Sequence, residues 1–216
     1  MAPVIAEELL LLINRPDGRV GDRGPRLDMA LAGALLAELV LDGHVELIDK
    51  KLKATGLPEG PEHPGLAAAL KRIGSKAQTP DIVITKLADR VRQKTLADLV
   101  EAGVVTKRYQ FFPIRKYPPV DLAPREDALR RLRATVFEGV EPDRRTAVLA
   151  AVVLAGKLAP LAFPGDDREA VKARLAEVTE GDWTVDAVRR ALLTKRISEA
   201  VALAVTVVVA WVSTPG

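Results

Sequence analysis

Residues 144–158, which include TAVLAAVVLAG, are apolar around nearly the whole circumference of a helix. A helix without a polar face belongs at the centre of a bundle, so other helices must surround it. Residues 27–41 form a second strong helical pattern. Its small residues, Ala30, Ala32, Gly33, Ala34 and Ala37, let a neighbouring helix approach closely. Aromatic residues make up only 4% of the 216 residues. The core must therefore be built from Leu, Ala, Val and Ile, which suits helices in close contact.

The remaining elements fit around this pair. Residues 5–13 read as an apolar helix ended by the turn residues 14–18, and 44–48 alternate like a short strand with His44 partly exposed at its start. Residues 50–60 read as a polar connection and 66–73 as a short helix. Residues 82–91 and 95–102 are two helical stretches, either separate or run together through Arg92, Gln93 and Lys94. Residues 124–137 are amphipathic and 167–180 form a surface helix. Trp183 opens the last helical region and 194–211 form another apolar helix, with Trp183 and Trp211 as core fillers. The expected fold is mainly α: a single globular helical domain over 1–216, with buried central helices and a projecting β-hairpin.

That hairpin is expected at residues 104–118. Four of the chain's aromatics, Tyr109, Phe111, Phe112 and Tyr117, fall in this stretch together with Lys107, Arg108, Arg115 and Lys116, and it holds no acid. The net charge of the whole chain is only +3. Buried segments seldom carry such cations, and solvated loops seldom concentrate aromatics. Gly103 ends the preceding helix, Val104 and Val105 start a β-prone run, residues 110–113 form the turn, and Pro118 and Pro119 close the unit. Bases bracketing an apolar tip suit a surface both anionic and greasy, such as a membrane. The plainer alternative folds Phe111 and Phe112 back onto the core.

Several classes of chemistry lose their support. Without cysteine there is no disulfide, thiolate nucleophile or Cys-based zinc site, and His44 and His63 lack metal-ligand spacing. Phosphate-binding glycine loops, H-E-x-x-H and G-x-S-x-G are missing, so nothing argues for an enzyme or a cofactor. Adjacent acids such as Glu7 with Glu8, or Asp166 with Asp167, point apart on a helix and read as helix N-terminal charges. The N-terminus lacks a basic n-region and so is not expected to be a signal peptide. The longest apolar run, residues 200–212, is shorter than the ~20 residues needed to span a bilayer. A cytoplasmic protein, peripherally associated with the inner face of a membrane, is the expectation.

The runs IAEELLLLINRPDG, LAGALLAELVLDGHVEL and VRQKTLADLVEAGVV, in this order and followed by a hairpin, resemble the Golgi phosphoprotein 3 (GPP34) family, and the chain is similar to its bacterial members. The resemblance implies a mostly helical domain with a projecting hydrophobic hairpin, used for membrane insertion and in some members for self-association. It also implies binding of phosphatidylinositol 4-phosphate beside the hairpin and retention of client membrane proteins. The family's headgroup positions fall at Arg23, Ala32, Asp89 and Arg92, so an aromatic becomes arginine and two basic positions are lost. Arg26 and Arg90 are the candidates to compensate.

The expected function is therefore a non-enzymatic peripheral membrane adaptor. Arg23, Arg26, Arg90 and Arg92 would face the lipid headgroup. Tyr109, Phe111, Phe112 and Ile114 would enter the membrane, and Lys107, Arg108, Arg115 and Lys116 would meet anionic phosphates. One alternative is a winged-helix DNA-binding unit. Against it, the hairpin tip is apolar and the preceding helix, ADLVEAG, is acidic, so nucleic acid is the less favoured partner. Another alternative makes the hairpin an oligomerisation interface.

Overall fold

The computed structural model describes residues 2–21, 24–49, 51–111 and 114–180, with 110, 111, 114 and 180 described by their backbone alone. Within these, nine helices and two antiparallel hairpins follow in the order α1 (Ile5–Ile13), α2 (Pro25–Leu41), β1 (Val45–Ile48), β2 (Lys51–Ala54), α3 (Pro64–Ile73), α4 (Pro80–Ala88), α5 (Val91–Glu101), β3 (Arg108–Phe111), β4 (Ile114–Lys116), α6 (Ala123–Phe137), α7 (Arg144–Ala155), α8 (Ala159–Ala162) and α9 (Arg168–Glu180). The mainly α fold with buried central helices is as the sequence implies. The expectations for Trp183, Trp211 and the helix over 194–211 fall outside the described residues.

Three helices form the middle. Every residue of α1 is buried, and in α7 the whole run from Thr146 to Val153 is. Helix α2 packs against α1, α3, α4, α5 and α7, and its small residues Ala30, Ala32, Gly33, Ala34 and Ala37 are all buried. Local signals set the ends. Asp143 caps α7, its Oδ1 accepting from the Thr146 amide at 2.7 Å. Proline opens α2, α3 and α4 in the first turn, where its missing N–H costs nothing. The outer helices bury one stripe each: Ala128, Leu132 and Val136 of α6, and Val171 and Leu175 of α9.

Two boundaries differ from the sequence reading. The polar connection expected at 50–60 begins with a strand, β2, which pairs with β1 from Val45↔Ala54 to Ile48↔Lys51. Leu52 alternates inward between the exposed Lys51 and Lys53, and Asp49 adopts the left-handed φ of 47° that closes the turn. The two helical stretches before Gly103 do not join through Arg92–Lys94, which lie inside α5. The chain breaks at Asp89 and Arg90, where Arg90 has φ 55°. Arg72 of α3 fixes that corner by donating to the Asp89 carbonyl at 2.8 Å and to its carboxylate at 3.2 Å.

The buried core also holds charge. Glu7 and Glu8 point apart as adjacent helix positions must, but they are not surface N-terminal charges, being only 4% and 5% exposed. Glu7 accepts from the Val4 amide at 3.0 Å and faces His63 Nε2 at 3.2 Å. Glu8 Oε1 accepts from Arg131 at 2.8 Å and from Arg145 at 3.5 Å, and Arg145 also pairs with Glu38 of α2. These ion pairs tie α1, α2, α6 and α7 together.

Candidate functional site

The second hairpin rises from a tightly built base. Thr106 donates to the Pro118 carbonyl at 3.0 Å, and Val105 bridges Pro119. The turn after α1 holds the outgoing chain: the Tyr117 amide donates to the Gly18 carbonyl at 2.7 Å and Asn14 Nδ2 to the Tyr117 carbonyl at 2.8 Å. Gly18 is required there. Its φ is 79°, and a Cβ would sit 2.4 Å from the Pro118 nitrogen.

Above the base, β3 and β4 pair through Arg108↔Lys116, Tyr109↔Arg115 and Phe111↔Ile114, with an irregularity between Tyr109 and Phe111. Gln110 and Phe111 thus belong to the strand and not to the turn over 110–113 that the sequence implied. Phe112 and the side chains of Phe111 and Ile114 lie outside the described residues. Tyr109 stands out from the body, 55% exposed, with Lys107 Nζ 5.6 Å and the Arg115 guanidinium 6.0 Å from its ring centre. These distances fit cation–π contact, and the result is an aromatic ring framed by two cations. Arg108 is exposed as well. Lys116 instead turns to the body, half-buried and 3.9 Å from Asp17.

Three of the four arginines placed at a headgroup site are among the described residues. Arg23 lies outside the described residues, and Arg26 is exposed on the first turn of α2. Arg92 reaches that turn, its Nε 3.6 Å from Asp28, with a buried Nη1 that has no hydrogen-bond partner. Arg90 instead lines a cavity beside α3. Ala32 is fully buried inside the bundle. Asp89 is engaged by Arg72. Among the described residues no group of three or more His, Asp or Glu side chains is arranged to hold a metal ion.

The sequence reading missed His63. It caps α3, its Nδ1 accepting from the Gly65 amide at 3.1 Å and its Nε2 facing Glu7 at 3.2 Å. Pro64 at the first helical position is the sequence signal that marks this helix start.

Fold and site together define a class: a mainly helical domain that presents a cation-framed hairpin beside its first interhelical turn. The chain belongs to the Golgi phosphoprotein 3 (GPP34) family, whose model matches residues 5–194. No curated protein matches it. No helix among the described residues is long and apolar enough to cross a membrane.

Proposed function

We propose that the chain is a non-enzymatic peripheral membrane protein that binds anionic phospholipid headgroups, phosphatidylinositol 4-phosphate among them, through its second hairpin. The observation that carries this reading is Tyr109, exposed and flanked by Lys107 and Arg115 on a strand pair braced at its base. An interfacial ring with cations beside it matches the boundary between acyl chains and phosphates. The hairpin tip adds Phe111, Phe112 and Ile114 in sequence. Burying each such side chain contributes roughly 1.5–3 kcal/mol, and each nearby base about 1 kcal/mol on an anionic leaflet.

Headgroup choice is relaxed in this reading. Arg92 faces Asp28, Asp89 replaces a base and Ala32 is inside the core, so charge near the surface matters more than an exact pocket. Replacing Phe111 and Phe112 together by Ser should abolish co-sedimentation with anionic vesicles while leaving the circular dichroism of the helical body intact. Unchanged vesicle binding would refute hairpin insertion.

A further inference from the structure

A cavity of about 440 Å³ opens between the start of α1 and helices α2, α3 and α5. Small-molecule sites span roughly 300–1,000 Å³. Its walls are mostly apolar, built by Leu35, Ala69, Leu87 and Val91, and one end is polar, where Glu7, His63 and Asp98 meet. Gly65 makes that end possible: a Cβ there would lie 2.9 Å from Asp98 Oδ2 and 3.1 Å from His63 Nδ1.

Charge is sorted by depth. The side chains of Glu7 and Asp98 are 5% and 9% exposed, whereas those of Lys94 and Arg72 are 47% and 41% exposed, and Arg90 is also exposed. Lys94 touches Asp98 Oδ1 at 3.2 Å from the solvent side, and Arg72 is committed to Asp89 at the mouth. An ion pair with a half-exposed lysine contributes little stability. His63 turns its Nε2 to Glu7 at 3.2 Å, while its Nδ1 accepts from the Gly65 amide. The inner end thus has two carboxylates and no buried lysine or arginine. Burial, and then the charge of Asp98, hold the Glu7 carboxyl above its ordinary range against the Val4 amide and His63.

We propose that this cavity binds a small organic cation, an apolar body ending in an ammonium group seated against Asp98 and Glu7. The apolar walls take the body, and the ammonium supplies the positive charge that no buried lysine or arginine gives the inner end. None of the cavity's walls belongs to the hairpin, and Asp89 and Arg90, two of the positions weighed for the headgroup, are among its lining residues.

Calorimetric titration of the purified chain with hexylammonium, 1-hexanol and hexanoate tests it. Hexylammonium should bind saturably and about tenfold more tightly than hexanol, the difference made by a hydrogen bond to a charged group. Hexanoate should not bind. Asp98→Asn should bring the amine down to the level of the alcohol. Ala68→Phe, on a half-buried wall position, should weaken both, with circular dichroism confirming that the variant is folded. Equal binding of amine and alcohol by the wild type would overturn the proposal. So would the absence of saturable amine binding, or amine binding unchanged in Ala68→Phe.

Discussion

Arg131 on α6 donates from Nη2 to Glu8 Oε1 on α1 at 2.8 Å, joining residues 123 positions apart inside the helical body. The same guanidinium donates to Thr146 at 2.7 Å and to Asp127 at 2.9 Å, so one side chain ties α1, α6 and α7. Glu8 Oε2 is buried without a hydrogen-bond partner, which leaves the carboxylate dependent on its cations. Replacing Arg131 by Met would strand that charge. The loss should be about 3–5 kcal/mol, as for other broken buried pairs, read from the shift in urea midpoint. A loss below about 1 kcal/mol would show that Arg145 alone satisfies Glu8.

Glu38 sets a pH dependence. Burial pushes its carboxyl up to about 7, against Arg145 and the Ile5 amide, which pull it down. A raised acid binds its proton more tightly when folded, so its contribution is full at low pH and is lost as pH rises through about 7. Glu7, also raised, acts in the same sense. Urea midpoints of wild type and Glu38→Gln should therefore compare more favourably for the variant at about pH 8 than at about pH 5. An equal difference at both values would mean that Glu38 stays ionised throughout.

Gly18 links body and hairpin. Gly18→Ala combines left-handed strain with a clash against Pro118, whereas Gly43→Ala at φ 75° meets open space and carries only the strain. Left-handed strain alone costs roughly 1–2 kcal/mol. The Gly18 variant should cost more than the Gly43 variant in urea midpoint and should also speed amide exchange at Thr106 and Tyr117. Equal losses with unchanged exchange would show that the hairpin base does not depend on this contact.

Lys107 and Arg115 should act on membrane association and not on folding. Their joint replacement by Ala removes about 1 kcal/mol each on an anionic surface. Vesicle affinity should fall roughly tenfold or more, and its salt dependence should become shallower. A thermal midpoint matching wild type would accompany this. An unchanged salt profile would assign the charge dependence to other residues.

Much of the fold was legible because periodicity survives into structure. The all-round apolar segment became α7, the small-residue segment became α2, and the one-stripe segments became α6 and α9. The misses share a cause. Strand β2 is four residues with one inward side chain, too short for a pattern to register. The break at Arg90 is imposed by Arg72, and the burial of Glu7 and Glu8 depends on His63, Arg131 and Arg145, none of them near in sequence. Composition exposed the hairpin because four aromatics and four cations crowd one stretch. It could not tell that Lys116 turns to Asp17 while Lys107 and Arg115 frame Tyr109.

Co-sedimentation of the wild-type chain with neutral, phosphatidylserine-containing and phosphatidylinositol 4-phosphate-containing vesicles tests the membrane reading most directly. Binding to both anionic kinds and not to the neutral one is the predicted result. Sedimentation with none of the three would contradict it.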